Sequence, residues 1–231
     1  MSPAHGRTAL SVVMPVLNEA TGIRATLDAL RPLRARGVEV IVVDGGSADG
    51  TGAACAGRVE AVIAAPRGRA VQMNAGAVAA RGNVLLFVHA DTLLPADADE
   101  RVLEGLAASG RCWGRFDVTI AGTSRWLVVV AWLMNRRSRW SGIATGDQAI
   151  FVTREAFDAV GGFPAQPLME DIELSTRLRR RGRPLALHDR VHTSGRRWEQ
   201  RGVWRTIVLM WRLRLLYWLG VSPERLARAY R

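Results

Sequence analysis

The strongest constraint on the fold is a series of short, dense apolar runs through the first ninety residues, each closed by a polar or small residue. LSVVMPV occupies residues 10–16, VEVIVV 38–43, EAVIA 60–64 and VLLFV 84–88. Such runs, rich in Val, Ile and Leu and bounded by turn residues, are too short for helices and read as buried strands. Between them lie helical patterns. Residues 19–35 place Ile23, Leu27 and Leu30 four and three apart, a short helix is expected over 51–56, and small residues dominate a helix over 71–80. Strand–helix alternation implies an α/β fold with a mostly parallel central sheet, crossover helices on its faces and ligands at the carboxyl ends of its strands.

The rhythm changes near residue 115. RFDVTI (115–120) alternates like an antiparallel strand, and 125–134 forms an apolar helix rimmed by Arg136, Arg137 and Arg139. A strand is expected over 149–152, a helix from 153, a backbone turn at Gly161–Gly162, a helix over 171–181 closed by a left-handed Gly182, and a Trp- and Leu-rich helix over 203–219. No Pro/Ser-rich linker and no internal repeat divides the chain. One domain spanning 1–231 is therefore expected, with functional parts at about 8–115, 116–195 and a helical tail at 196–231.

At 48% hydrophobic and 23% charged, the chain has the material for a sizeable core, which excludes disordered and low-complexity designs. The two cysteines, Cys55 and Cys112, are too few for a disulfide scaffold or zinc ribbon and fit a reducing compartment. LSVVMPVL has Pro inside it and reads as a strand, not as a signal peptide, and no run of uncharged apolar residues is long enough to span a membrane. The net charge of +11 is unevenly spread: residues 1–115 carry 12 Arg against 11 acids, and 116–231 carry 20 Arg against 10 acids. The basic half calls for an anionic partner: nucleotide phosphates, a lipid surface or nucleic acid.

Polar residues gather at the strand ends. Asn18 and Glu19 follow the first strand, Asp44 the second, Arg67 and Arg69 the third, and His89-Ala90-Asp91 the fourth. An unpaired buried carboxylate is costly, so acids recurring at one sheet edge indicate a polar cleft. Singly, each is also a good cap or turn former, and Ser47 and Asp49 are read as turn formers.

These segments carry a resemblance. PVLNEA, VVDGGSADGT, LLFVHADTLLP, GDQAIFVTREAFDAVGGFP and LMEDIELSTRLRRRG occur in the order found in the family 2 glycosyltransferases of GT-A fold, over residues 10–183. The tail SGRRWEQRGV…WRLRLLYWLGVSPERLARAY resembles a small bacterial subgroup of that family. The resemblance implies an inverting transferase that moves a sugar from a nucleotide-diphosphate donor, UDP- or GDP-linked, to an acceptor hydroxyl with a divalent metal, Mg²⁺ or Mn²⁺. The first part of the chain would then bind the nucleotide and the second the acceptor.

Residue by residue, Asp91 falls on the second acid of the family's Asp-x-Asp metal motif, with His89 in place of the first, where it would contact the ribose of the nucleotide or the metal. Glu19 and Asp44 would contact the nucleotide, and Arg67 and Arg69 its phosphates, where a guanidinium suits an oxyanion. Glu170-Asp171 matches the acidic pair before a helix, with Asp171 the general base. Acids also suit a helix N-terminus for its dipole alone. Gly146 and Asp147 would shape the acceptor side, and Arg196, Arg197 and Trp198 would close over the diphosphate, although a basic cluster packing on aromatics accounts for those three as well.

Two rival classes remain. A nucleic-acid or anionic-membrane binding domain would use the basic half without a carboxylate cleft, and the acids at strand ends speak against nucleic acid. A dinucleotide dehydrogenase needs a glycine fingerprint after the first strand, where Pro-Val-Leu-Asn-Glu stands, and no Walker A motif occurs. The apolar circumference of 203–219, with Arg201, Arg205 and Arg212 on one stripe and Arg214 opposite, suits internal packing or a membrane interface. A cytoplasmic protein, held peripherally at the inner membrane face and using a lipid-linked acceptor, is the expectation. Oligomeric state is not written in the sequence.

Overall fold

A computed structural model describes residues 8–230; residues 1–7 and 231 of the expected domain lie outside that range. In chain order the elements are β1 (Leu10–Val16), α1 (Ile23–Ala29), α2 (Arg31–Ala35), β2 (Glu39–Asp44), α3 (Thr51–Cys55), β3 (Ala61–Ala64), α4 (Arg69–Ala79), β4 (Val84–Phe87) and β5 (Thr92–Leu93). They continue with α5 (Ala98–Ser109), β6 (Trp113–Ala121), α6 (Trp126–Ser141), β7 (Phe151–Thr153), α7 (Arg154–Ala159), α8 (Glu170–Arg179), β8 (Leu185–Ser194), α9 (Arg196–Arg201), α10 (Val203–Trp218) and α11 (Pro223–Tyr230).

The strands form a single sheet in the order β3-β2-β1-β4-β7-β6-β8-β5. β3, β2, β1 and β4 run parallel, β7 is antiparallel to both its neighbours, and β6 pairs in parallel with β8. The reversal of strand order beside β1 is where an open α/β sheet leaves a crevice. Successive residues of β1 feed opposite faces: Val12 and Met14 pack with Leu27, Leu30 and Phe116, and Val13 packs with Ile41, Met73 and Phe87. At Gly76, a Cβ would run into Val13 and Val43, so that glycine lets α4 lie close on the sheet.

Several expectations are corrected. The helix expected over 19–35 is two helices, because Pro32 at the second position of α2 has no N–H and its ring blocks continuation from α1. The helix expected over 125–134 runs on to Ser141, so Arg136, Arg137 and Arg139 lie on it and do not rim it. α8 ends at Arg179, and Gly182 has φ +155°, outside the left-handed cap region. Gly161 and Gly162 do form a left-handed turn, at φ +76° and +66°. β6 does not alternate: it is buried on both faces between β7 and β8, with Arg115 fully buried. There Arg115 pairs with Asp117, whose other oxygen meets Arg139 Nη2 at 2.7 Å. Burial pulls the Arg115 guanidinium below its ordinary pKa, against the attraction of Asp117.

Candidate active site

A cavity of about 530 Å³ opens at the carboxyl ends of β1 and β4, roofed by α9. Its charged lining is Glu19, Asp91 and Asp147 against Arg67, Arg69, Arg196, Arg197 and Arg201, with His89 and Trp198 beside them. More positive than negative groups converge, so the cavity suits an anion with room for a cation near its acids.

The loops that carry these residues are fixed by bonds to one another. Asn18, at φ +54°, donates its backbone N–H to Ser47 Oγ at 2.9 Å and accepts Ala48 N–H at Oδ1. Glu19 N–H goes to Thr51 Oγ1 at 2.9 Å and Ala20 N–H to Asp49 Oδ2 at 3.0 Å. Ser47 and Asp49, read as local turn formers, therefore lock the first loop and set the position of Glu19. Gln72 on α4 does the same from below, donating to the carbonyls of Val16 and Val43 at 2.9 and 2.8 Å. No sequence pattern had marked Gln72.

His89 Nδ1 lies 3.3 Å from Asp147 Oδ1. Burial pushes the Asp147 carboxyl up, but His89, Arg69 and Arg197 outweigh it and hold the group below the usual carboxylate range. The ring rests against Gly146, where a Cβ would stand 2.6 Å from two imidazole atoms. Asp91 follows in the same turn, its carbonyl accepting Ser194 N–H at 3.2 Å. The strand that supplies Thr193 and Ser194 to the cavity, β8, was not expected from the sequence, and it separates α8 from α9.

The remaining site residues expected from the sequence stand behind this lining. Asp44 does not face the cavity: its Oδ1 accepts from the backbone of Gly46 and Ser47 and from Ser47 Oγ at 3.2, 2.9 and 2.6 Å. Asp171 Oδ2 accepts Gly146 N–H at 2.8 Å, which sets it directly behind the His89–Asp147 pair. Glu170, 6% exposed, has its pKa pushed up by burial and then by Asp171, with Arg69 pulling the other way. The residue before it, Met169, has φ +64°, and Ala149 after the Gly146–Gln148 turn has φ +48°. Backbone conformations disfavoured for Met and Ala thus flank the site on two loops. Arg69 begins α4 and does not sit in the loop before it. Arg196 Nη2 reaches Glu19 Oε2 at 3.5 Å, and Arg197 bonds the Tyr230 hydroxyl while its guanidinium lies 5.4 Å from that ring.

Among the described residues no three His, Cys, Asp or Glu side chains converge as a metal-binding group. Mg²⁺ is ordinarily held by one or two carboxylates together with phosphate oxygens, not by an all-protein cage. Asp91, a carboxylate of the cavity lining, fits a cation completed by a diphosphate.

A second cavity, of about 270 Å³, lies between α6 and α10 and shares Asp147 and Trp198 with the first. Its walls are apolar except for Asp147, Arg137 and Arg214.

The family model described as Glycosyl transferase family 2 matches residues 11–165. The succinoglycan biosynthesis protein ExoA of Rhizobium meliloti (strain 1021) is 30% identical over 204 residues, covering 80% of this chain and 62% of that protein. Among solved structures, the mannosyltransferase PcManGT of Pyrobaculum calidifontis, in complex with GDP-Man and Mn²⁺, matches with TM-score 0.66 and 23% identity over 96% of this chain and 68% of that one. TarS of S. aureus, in complex with UDP, matches with TM-score 0.65 and 16% identity over 80% and 60%. The chain thus spans about three fifths of ExoA and of the 1–349 segment of TarS, and about a third of the longer TarS structure.

Proposed function

Since the chain belongs to glycosyl transferase family 2, we propose that it is an inverting glycosyltransferase that moves a sugar from a UDP- or GDP-linked donor to an acceptor hydroxyl. The observation that carries this is the polar cavity at the strand ends, with five arginines facing three acids and Asp171 bonded to the Gly146 N–H next to Asp147 of its lining. The donors of PcManGT and TarS, GDP-Man and UDP-GlcNAc, support the same class here.

In this reading Arg67, Arg69, Arg196 and Arg197 hold the diphosphate, and Glu19 and Asp44 secure the nucleoside end, Asp44 by shaping its loop. Asp91 would hold a divalent cation together with the diphosphate, with His89 and Asp147 in the same lining, and the cation when bound would neutralise charge on the departing diphosphate. Asp171 takes the proton of the acceptor hydroxyl as the acceptor oxygen bonds to the anomeric carbon. The bond from that carbon to the phosphate oxygen breaks with its electron pair on the nucleoside diphosphate. Attack from the face opposite the leaving group inverts the anomeric centre. Glu170, its charge disfavoured by burial, supports Asp171 from the adjacent position and leaves proton abstraction to it.

The work is placed at a membrane surface. Trp126, Trp132 and Trp140 on α6 and Trp204, Trp211 and Trp218 on α10 are all exposed, and no helix among the described residues is long and apolar enough to cross a membrane. Faces of this kind suit the interfacial plane, where Trp and Arg sit at headgroup level.

Thermal-shift titration with UDP-, GDP- and other nucleotide sugars, with and without Mn²⁺, tests the donor reading. One nucleoside diphosphate stabilising the protein in a metal-dependent way is expected. A protein that responds to none of them and shifts only with DNA in a salt-sensitive way would overturn it.

A further inference from the structure

α9 lays Arg196, Arg197, Trp198 and Arg201 over the donor cavity, yet little in its own sequence holds it there. It has six residues, none of them buried, and its N-cap Gly195 offers no side chain to the free N–H groups of the first turn. It meets α10 at Gly202, whose φ of +83° favours glycine, so helix continuity does not set its direction. A Cβ on Gly202 would meet nothing within 4 Å, which leaves that joint sterically open. Trp198 packs partly on the core and Glu199 accepts the Thr123 hydroxyl at 2.8 Å, but neither contact fixes the guanidinium of Arg197. Five arginines line this cavity, and their mutual repulsion works against a closed roof.

Tyr230, the last residue of α11, supplies what is missing. Its hydroxyl accepts a hydrogen bond from Arg197 Nη1, and its carbonyl accepts one from Arg201 Nη1 at 2.8 Å. The ring lies 5.4 and 5.6 Å from the two guanidinium carbons, within cation–π range. A hydroxyl and a ring face orient the Arg197 guanidinium without the full negative charge of a carboxylate, so the cation stays available to an oxyanion. Four residues earlier, on the same side of α11, Leu226 is 1% exposed and packs with Leu213 of α10 and with Met169, the residue before Glu170. Tyr230 packs against that cluster as well. One short helix thus fastens the roof of the donor cavity to the segment that leads into the proposed base.

We propose that α11 is a strap across the site, and that Tyr230 is a positioning residue that holds Arg197 and Arg201 over the cavity for the diphosphate of the donor. The inference rests on the transferase reading for the word donor, but the diphosphate binding it predicts does not depend on sugar transfer.

The test is calorimetric titration of the full chain with inorganic pyrophosphate, UDP and GDP, in the wild type and in variants. Tyr230→Leu keeps apolar packing on the Met169 cluster but loses ring and hydroxyl. It should weaken pyrophosphate, and whichever nucleoside diphosphate the wild type binds, by about tenfold. Tyr230→Phe keeps the ring and the backbone carbonyl, and should weaken them by only about threefold with an unchanged Tm, which keeps the test open if the Leu variant does not fold. In an Arg197→Gln/Arg201→Gln background either change should have almost no further effect, the non-additivity of residues that act through one another. Wild-type affinities in the Tyr230 variants would overturn the proposal and leave the donor reading intact. A loss of the same size in the background lacking both arginines would also overturn it, because a merely loosened α11 would give that result. Pyrophosphate weakened by the variants, with neither UDP nor GDP bound even by the wild type, would count against the donor reading alone. A wild type that binds none of the three would overturn both.

Discussion

The carboxylate of Asp171 accepts the backbone N–H of Gly146 at 2.8 Å, although twenty-five positions separate the two residues. That bond ties the start of α8 to the turn carrying Asp147 and sets the acid behind the imidazole of His89. It gives the proposed base a fixed place relative to the cavity.

Asp171→Asn preserves the side chain's size but removes the proton acceptor. Transfer should fall by about 10²–10⁴-fold, the usual worth of a positioned acid or base, with donor affinity retained. Single-turnover transfer compared with equilibrium donor binding separates the two, and wild-type transfer rates in the variant would remove Asp171 from this role.

Gly146→Ala should act through His89. The added Cβ would stand 2.6 Å from the ring, so the imidazole must move away from Asp147. Weaker metal-dependent donor binding is expected, with metal-free nucleotide binding nearly unchanged, as read by titration with and without Mn²⁺.

Glu170 gives a pH signature. Its folded pKa lies above the ordinary 4.5, first through burial and then through Asp171. The folded state therefore holds the proton more tightly, and stability falls as pH rises from about 4.5 through the folded pKa. Glu170→Gln should match wild type in Tm near pH 4 and exceed it at pH 7. A Tm difference that is the same at both pH values would contradict the assignment.

Arg137 gives a signature of the opposite group. Its pKa is lowered to about 10, so the cost of burying the cation is fully present at neutral pH and is relieved as pH rises through that value. Arg137→Met should raise Tm at pH 7 by about 2–4 °C, equivalent to roughly 1 kcal/mol in a chain of this size, as differential scanning calorimetry of the protein would show.

Asp117 should be far less tolerant. It lies between the fully buried Arg115 and the half-buried Arg139. Asp117→Ala strands Arg115 in the core, a change that typically costs about 3–5 kcal/mol. Chemical denaturation should show this, with much less loss for Asp99→Ala, whose partner Arg36 can return to water.

How far the chain could be read follows from where the information lies. β1, β2 and β4 were legible because a buried parallel strand needs a dense apolar run, and such runs are local in sequence; β3, at the sheet edge with Val62 exposed, carries the same signal only in its short Val62-Ile63 centre. The polar residues after them marked the cleft for the same reason: position at a strand end is a local property. β8 was missed because LALHDRVHTS mixes apolar, charged and polar residues without a sustained period of two, and it becomes a strand by pairing with β6 and β5. Arg115 and Asp117 looked like the polar face of an exposed strand, and only α6, whose Asn135, Ser138 and Arg139 bond the pair, puts them in the core.

The sequence by itself determined the α/β class, the sheet edge at which polar residues gather and most of the charged groups that line its cavity, since periodicity and strand-end chemistry are written residue by residue. Tertiary structure alone decided that Asp44 turns into its own loop, that Asp171 meets Gly146, and that two arginines of different helices share one apolar cavity. Those are relations between segments distant along the chain, and they exist only once packing has fixed which side chain each segment turns inward.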